Sequence, residues 1–252
     1  MLSRACWGRD GDGATRWDGD GAVTLLSRYR DDDSAPTLIG AGRDLILRGL
    51  VPAVVLFAVG LWVGWWLSGP IGDSLGEVNV NAQVQSGRTP ALDAVARVAS
   101  GMGSATGNTV FCVAAAALIW VLSRRWWLAA LPVVALLLQV MVYIATSTLV
   151  GRQRPAVVTL DIGEPTASFP SGHMGATTAQ LLVVVLFLLR WGIDRWWWRT
   201  TLIVTVTGYL LVLGWSRVYL GMHHVTDVVW GGVNGVACGL IGWLFLRRTS
   251  PE

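Results

Sequence analysis

Residues 168–190 read SFPSGHMGATTAQLLVVVLFLLR. The segment changes character at its sixth residue, His173. Before it stand Pro and Ser-Gly, which do not sit in a helix interior. After it, residues 174–189 contain no charged side chain and are mostly Leu, Val and Phe. A helix crossing hydrocarbon needs roughly 17–25 residues, so this run must draw in the residues just ahead of it. The stretch therefore predicts a membrane helix whose first turn carries a serine and an imidazole. An ionisable group in that position is costly unless it is paired or used.

The rest of the chain agrees with a bilayer as solvent. Of 252 residues, 53% are hydrophobic and 14% charged, and the mean hydropathy is +0.53. Six apolar runs, at 50–67, 109–122, 126–150, 174–189, 200–215 and 228–246, predict six transmembrane helices. The second, fourth and fifth are short and must borrow flanking residues. Many of the 15 tryptophans fall at run ends, namely Trp65, Trp66, Trp126, Trp127, Trp196, Trp197 and Trp198, and read as anchors in the headgroup layer. Cys6, Cys112 and Cys238 have no metal-ligand spacing and read as small apolar residues.

Between the first two runs, residues 88–100 place Leu92, Val95, Ala96 and Ala99 at helical spacing opposite Asp93 and Arg97, which predicts a short helix lying in the interface. The expectation is an all-α polytopic membrane protein, with residues 1–45 a disordered tail rich in Gly, Asp and Arg and residues 46–248 the six-helix domain. Six spans put both termini on one side. Fourteen of the 19 basic residues, all Arg, fall on that side and five on the other; without the tail the split is seven to five. The positive-inside rule then makes the termini cytoplasmic and the opposite face outward, in the cell membrane. A formal charge of +3 with no basic stripe gives no reason to expect nucleic acid.

The outward connections hold the chemistry. Residues 151–173 read GRQRPAVVTLDIGEPTASFPSGH, and residues 216–227 read SRVYLGMHHVTD. Arg154, His173, Arg217, His223 and Asp227 can thus meet at one membrane face. His223 and Asp227 are four apart at the start of the last helix, a spacing that lets them pair on one helical face. A carboxylate on one ring nitrogen would fix the tautomer and leave the other to attack. Arg154 and Arg217 suit an anion whose charge spreads over several oxygens, as in phosphoryl transfer. Free backbone N–H groups around Ser171 and Gly172 favour phosphate at a helix start, and His173 would protonate the leaving oxygen. His224 reads as a packing or interface residue, and Asp161 and Glu164 as solvated loop residues, either of which could shape access to the pocket.

These segments closely resemble the signature of the phosphatidic acid phosphatase type 2 superfamily: KxxxxxxRP, then PSGH, then SRxxxxxHxxxD. The second is intact at Pro170, Ser171, Gly172 and His173, and the third at Ser216, Arg217, His223 and Asp227. The resemblance implies a phosphohistidine on His223, acid catalysis by His173, phosphate contacts from Arg154, Ser171, Gly172 and Arg217, and neither metal nor cofactor. The first segment departs from the pattern, because Ser147 stands at the lysine position. Arg152 is the nearest basic group that could replace the missing cation.

The expected activity is a membrane phosphatase acting on a lipid phosphate or diphosphate, such as phosphatidic acid, phosphatidylglycerol phosphate or a polyprenyl diphosphate. Two alternatives stand beside it. A phosphotransferase would use the same intermediate, and an impaired lipid-phosphate binder would follow from the lost lysine. The bilayer and the lipid substrate are the expected partners, and the residues set no oligomeric state.

Overall fold

The computed structural model describes residues 35–161, 167–191, 193 and 195–246. Among these the chain is all helical: α1 (Leu38–Asp44), a π-helical turn (Leu45–Leu50), α2 (Val51–Leu67), α3 (Pro70–Ser74), α4 (Glu77–Ser86), α5 (Pro90–Met102), α6 (Ala105–Ser123), α7 (Trp126–Val150), α8 (Gly172–Trp191), α9 (Trp196–Tyr219) and α10 (Val225–Leu244). Six of the described helices are long and apolar enough to cross a membrane, the first being the continuous rod Leu38–Leu67. This is the six-span plan expected from the sequence.

The borrowed turns have local causes. The second span starts at Ala105 because Ser104 caps it, its side chain accepting from Gly107 N at 3.1 Å. The first starts earlier than the boundary drawn at residue 45. Thr37 accepts from Gly40 N at 3.1 Å and begins α1 there, although Arg43, Asp44 and Arg48 interrupt the apolar run. The remainder of the expected tail, residues 1–34, lies outside the described residues.

The closest packing joins α8 to α10. Gly231, Gly235 and Gly239 repeat every four residues along one face of α10. A Cβ on them would lie 2.5 Å from the Ser171 carbonyl oxygen, 2.5 Å from that of Gly175 and 2.9 Å from that of Ala179. Small residues at this spacing let two membrane helices approach backbone to backbone, the main source of association where lipid is as apolar as leucine. Helix α7 lies across the pair, with Ala135 against Gly242. Leu128, Leu131, Leu138, Val183, Phe187 and Trp243 fill the space between. Trp127 belongs to this core at 6% exposure, which corrects its reading as an interface anchor. The other six named tryptophans are exposed, and Cys112 and Cys238 are buried free thiols.

The helix expected over 88–100 is α5, capped by Thr89, which accepts from Leu92 N at 3.2 Å. Its apolar stripe is divided. Ala96, Ala99 and Ser100 are buried, whereas Leu92 and Val95 point away, because α5 packs along α9. Asp93 is held by Arg88 at 2.9 Å and by the Tyr219 hydroxyl at 2.5 Å. Helix α4 was not foreseen. Its alternating Val and polar residues give no helical stripe, yet its amides cap the end of α9: Asn81 donates to Val218 O at 3.0 Å and Gln85 to Tyr219 O at 2.9 Å.

Candidate active site

The end of α7, the starts of α8 and α10, the end of α9, and α4 and α5 meet at the end of the bundle opposite Leu38. Gly151, at φ +62°, ends α7 in the left-handed conformation that favours glycine and releases residues 152–161 across this face. Ser168 N donates to Arg152 O at 2.8 Å, and Ser171 N to Asp227 O at 3.0 Å. The two motif-bearing connections are thereby stitched together.

At the start of α8, Gly172 lies so near Tyr143 that a Cβ would sit 2.9 Å from the ring. Any side chain here would have to displace the tyrosine. The Ser171 hydroxyl is buried and has no partner among the described residues, an arrangement that is costly unless a ligand completes it. Arg217, at the end of α9, is 2% exposed. One terminal nitrogen donates to Ser100 Oγ and to Asp161 Oδ2, the latter at 2.9 Å, while its Nε is buried without a partner among the described residues. Asp161 is therefore an ion-pair partner rather than a solvated loop residue. Burial alone would raise its pKa, but the bond and charge of Arg217, with Ser100 and His173, hold it below the usual carboxylate value. Glu164 lies outside the described residues.

Gly221 (φ +71°) turns the chain after α9, and His223 N donates to Arg217 O at 3.3 Å. His223 is buried, and its Nδ1–H donates to the Ser168 carbonyl at 2.6 Å. That bond fixes the tautomer and leaves Nε2 with its lone pair. Burial first, and Arg217 next, push the pKa of His223 down to about 3 against the opposing pull of Asp227 and Ser168. The ring is thus neutral at physiological pH. Arg217, Asp161 and Arg154 are the charges that act on His173. Arg154 is half-buried and donates to Met222 Sδ at 3.0 Å, and burial lowers its pKa from the ordinary guanidinium value.

Asp227 is placed differently from the sequence expectation. Helix α10 begins at Val225, with His224 as its cap. His223 therefore precedes the helix, and the i,i+4 geometry that would pair it with Asp227 does not apply. The carboxylate instead accepts from Ser168 Oγ at 2.5 Å and His224 N at 2.8 Å through one oxygen, which lies 3.2 Å from His224 Nδ1, and from Arg152 at 2.5 Å through the other. Arg152 is turned the same way. Its other terminal nitrogen donates to Glu77 Oε2 at 2.9 Å, so its charge is spent on two carboxylates and not offered to a phosphate. Sequence reasoning missed Glu77 and Ser168. Glu77 carried one signal, being the sole charged residue between Asp73 and Arg88, close to a membrane surface where isolated charges are rarely idle.

The PAP2 superfamily model matches residues 126–250. Among solved structures the chain resembles a transmembrane PAP2-type phosphatidylglycerolphosphate phosphatase from Bacillus subtilis, at 22% identity and TM-score 0.67, over 75% of this chain and 93% of that one. It also resembles LpxE of Aquifex aeolicus, at 20% identity and TM-score 0.50, over 65% of this chain and 92% of the other. The chain belongs to the PAP2 superfamily and shares the fold of membrane PAP2 proteins.

Proposed function

We propose that this multi-pass membrane protein hydrolyses a lipid phosphate or diphosphate through a phosphohistidine. The observation that carries the reading is the bond from His223 Nδ1–H to the Ser168 carbonyl, which leaves Nε2 as a neutral nucleophile in a buried site beside Arg217. Nε2 attacks phosphorus while His173, which takes up a proton when the anionic headgroup binds beside it, gives that proton to the departing lipid oxygen. The P–O bond breaks as the P–N bond forms. Water then attacks the phosphohistidine, His173 takes its proton, and inorganic phosphate leaves with His223 restored. The Ser171 hydroxyl and Arg217 Nε, without partners among the described residues, supply donors for the oxygens of the transferring group, with Gly172 and Arg154 at its edge. These groups supply nucleophile, acid and charge neutralisation without calling on a metal.

The arginine distribution supports cytoplasmic termini and an outward site in the cell membrane. A headgroup at the bundle end would keep its chains in the bilayer. Phosphate release by purified protein from phosphatidic acid, phosphatidylglycerol phosphate and a polyprenyl diphosphate tests the reading. Turnover of at least one lipid, lost in His223→Ala and retained with a chelator, is expected. Inactivity on the whole panel, or strict dependence on an added divalent ion, would sink it.

A further inference from the structure

Glu77 lies outside all three motifs and outside the matched segment 126–250, yet it is 6% exposed and both its oxygens are engaged. Oε1 accepts from Thr226 N at 2.7 Å, and Oε2 accepts from Thr226 Oγ1 and Arg152 Nη2, each at 2.9 Å. Arg152 passes the constraint to Asp227, and Asp227 to the Ser168 hydroxyl. Ser168 is also held through its own N–H by Arg152 O at 2.8 Å. Its one remaining backbone group is the carbonyl that receives His223 Nδ1–H. One turn along α4, Asn81 donates to the His223 carbonyl at 3.0 Å. The same short helix therefore grips the candidate nucleophile twice, directly through its backbone and by relay through its ring.

The charge pattern calls for such a role. One guanidinium faces two buried carboxylates, and the N–H groups of His224 and Thr226 at the start of α10 supply the remaining positive field. A buried ion pair is poor evidence of a stability gain, and the best-attested use of such groups is fixing register.

We propose that Glu77 is a positioning residue for His223, acting through Arg152, Asp227 and Ser168 to hold the Ser168 carbonyl where it selects the Nδ1–H tautomer. The kinetic consequence rests on the phosphohistidine reading; the tautomer does not. The chain has three histidines, so 15N-histidine labelling of protein without a His tag gives three ring systems, assigned with His173→Gln and His224→Gln. In wild type, His223 shows a protonated Nδ1 and a bare Nε2. In Glu77→Gln, whose amide leaves Thr226 N–H or Arg152 facing an NH2 group, the His223 nitrogens shift toward a mixture of tautomers.

On the lipid that wild type turns over best, kcat falls about tenfold to a hundredfold with KM within about twofold, and Glu77→Asp recovers part of the loss. Ser168→Ala, which removes only the hydroxyl link, gives the same spectral change. Combined with Glu77→Gln it adds little, as expected for members of one network. Unchanged His223 nitrogens in Glu77→Gln and Ser168→Ala overturn the proposal, whatever happens to activity or melting temperature. Should Glu77→Gln fail to fold, Ser168→Ala decides alone by the same criterion. An inactive wild type refutes the proposed function and leaves the tautomer measurement standing.

Discussion

Two buried arginines stand at the same end of the bundle and are satisfied in opposite ways. Arg152 is bound on both terminal nitrogens, by Glu77, Asp227 and Thr226, and its carboxylate partners have side chains only 7% and 0% exposed. Arg217 is more deeply buried at 2%, but among the described residues its carboxylate partner, Asp161, is 30% exposed and its Nε has no partner. The first guanidinium is consumed by the fold. The second keeps a donor in reserve at a buried site, where a charge-assisted bond to an anion is strongest. Burial alone does not separate these two cations; unspent donor capacity does.

The largest expected effects break the catalytic side of this contrast. His223→Ala should lower kcat by about a thousandfold or more, since the proposed nucleophile is gone. Arg217→Gln should lower kcat/KM by roughly a hundredfold to a thousandfold, the loss expected for one donor to developing charge, with little change in melting temperature. Arg152→Met should show the reverse weighting. It leaves Glu77 and Asp227 uncompensated and should cost about 3–5 kcal/mol of stability, read as a lower denaturation midpoint in detergent. Equal stability losses at the two positions would erase the distinction.

His223 adds a test by pH. Its folded pKa of about 3 lies below the ordinary value of 6.5, so on acidification the unfolded chain takes up the proton first. The stability it confers is complete above about pH 6.5 and is lost as pH falls toward 3. The melting temperature should decline from pH 7 to pH 4, and His223→Gln should flatten that decline by at least about 2 °C. An identical slope in both proteins would contradict the buried, neutral imidazole.

How much of this was legible depends on whether the information is local. Apolar runs declare spans through length and composition, so six helices could be read directly. The PSGH and SRxxxxxHxxxD segments are short enough for spacing to carry them. The partner of Asp227 was not legible, because the pairing argument assumed helix from His223 onward and the helix starts two residues later. Glu77 was missed because α4 has no apolar stripe and is held by long-range bonds to the α9 end and to Thr226. Trp127 sits at the end of an apolar run like its neighbour Trp126, and only tertiary packing, which run boundaries do not declare, puts it in the core.

Ser147 sharpens the contrast next, with a smaller effect. It is 6% exposed in the last turn of α7, where the family pattern has lysine. Because Arg152 is committed to Glu77 and Asp227, no takeover of the phosphate contact is expected at that residue. Ser147→Lys should therefore raise kcat/KM on a good lipid substrate, by about tenfold if the ammonium supplies roughly 1.4 kcal/mol to the transition state. A neutral or harmful Ser147→Lys in a folded protein would mean that the clamp is already complete.

The smallest effect belongs to Asp161, whose bond to Arg217 competes with any anion that needs the same guanidinium. Its carboxylate is held ionised by Arg217 and partly open to water, so it both orients the arginine and offsets its charge. Asp161→Asn keeps an acceptor for the orienting bond and removes the competing charge. Inhibition by orthovanadate, a phosphate mimic, should then tighten by about twofold to fivefold, within the modest range of partly exposed ion pairs. The gain should shrink as salt is added, because screening weakens the exposed carboxylate more than the buried guanidinium. Asp161→Ala, which loses the orienting acceptor as well, should bind vanadate no better than wild type. If Asp161→Asn and Asp161→Ala weaken binding equally, the carboxylate's charge is part of the site, and Arg217 is closer to Arg152 in kind than its unpartnered Nε indicates.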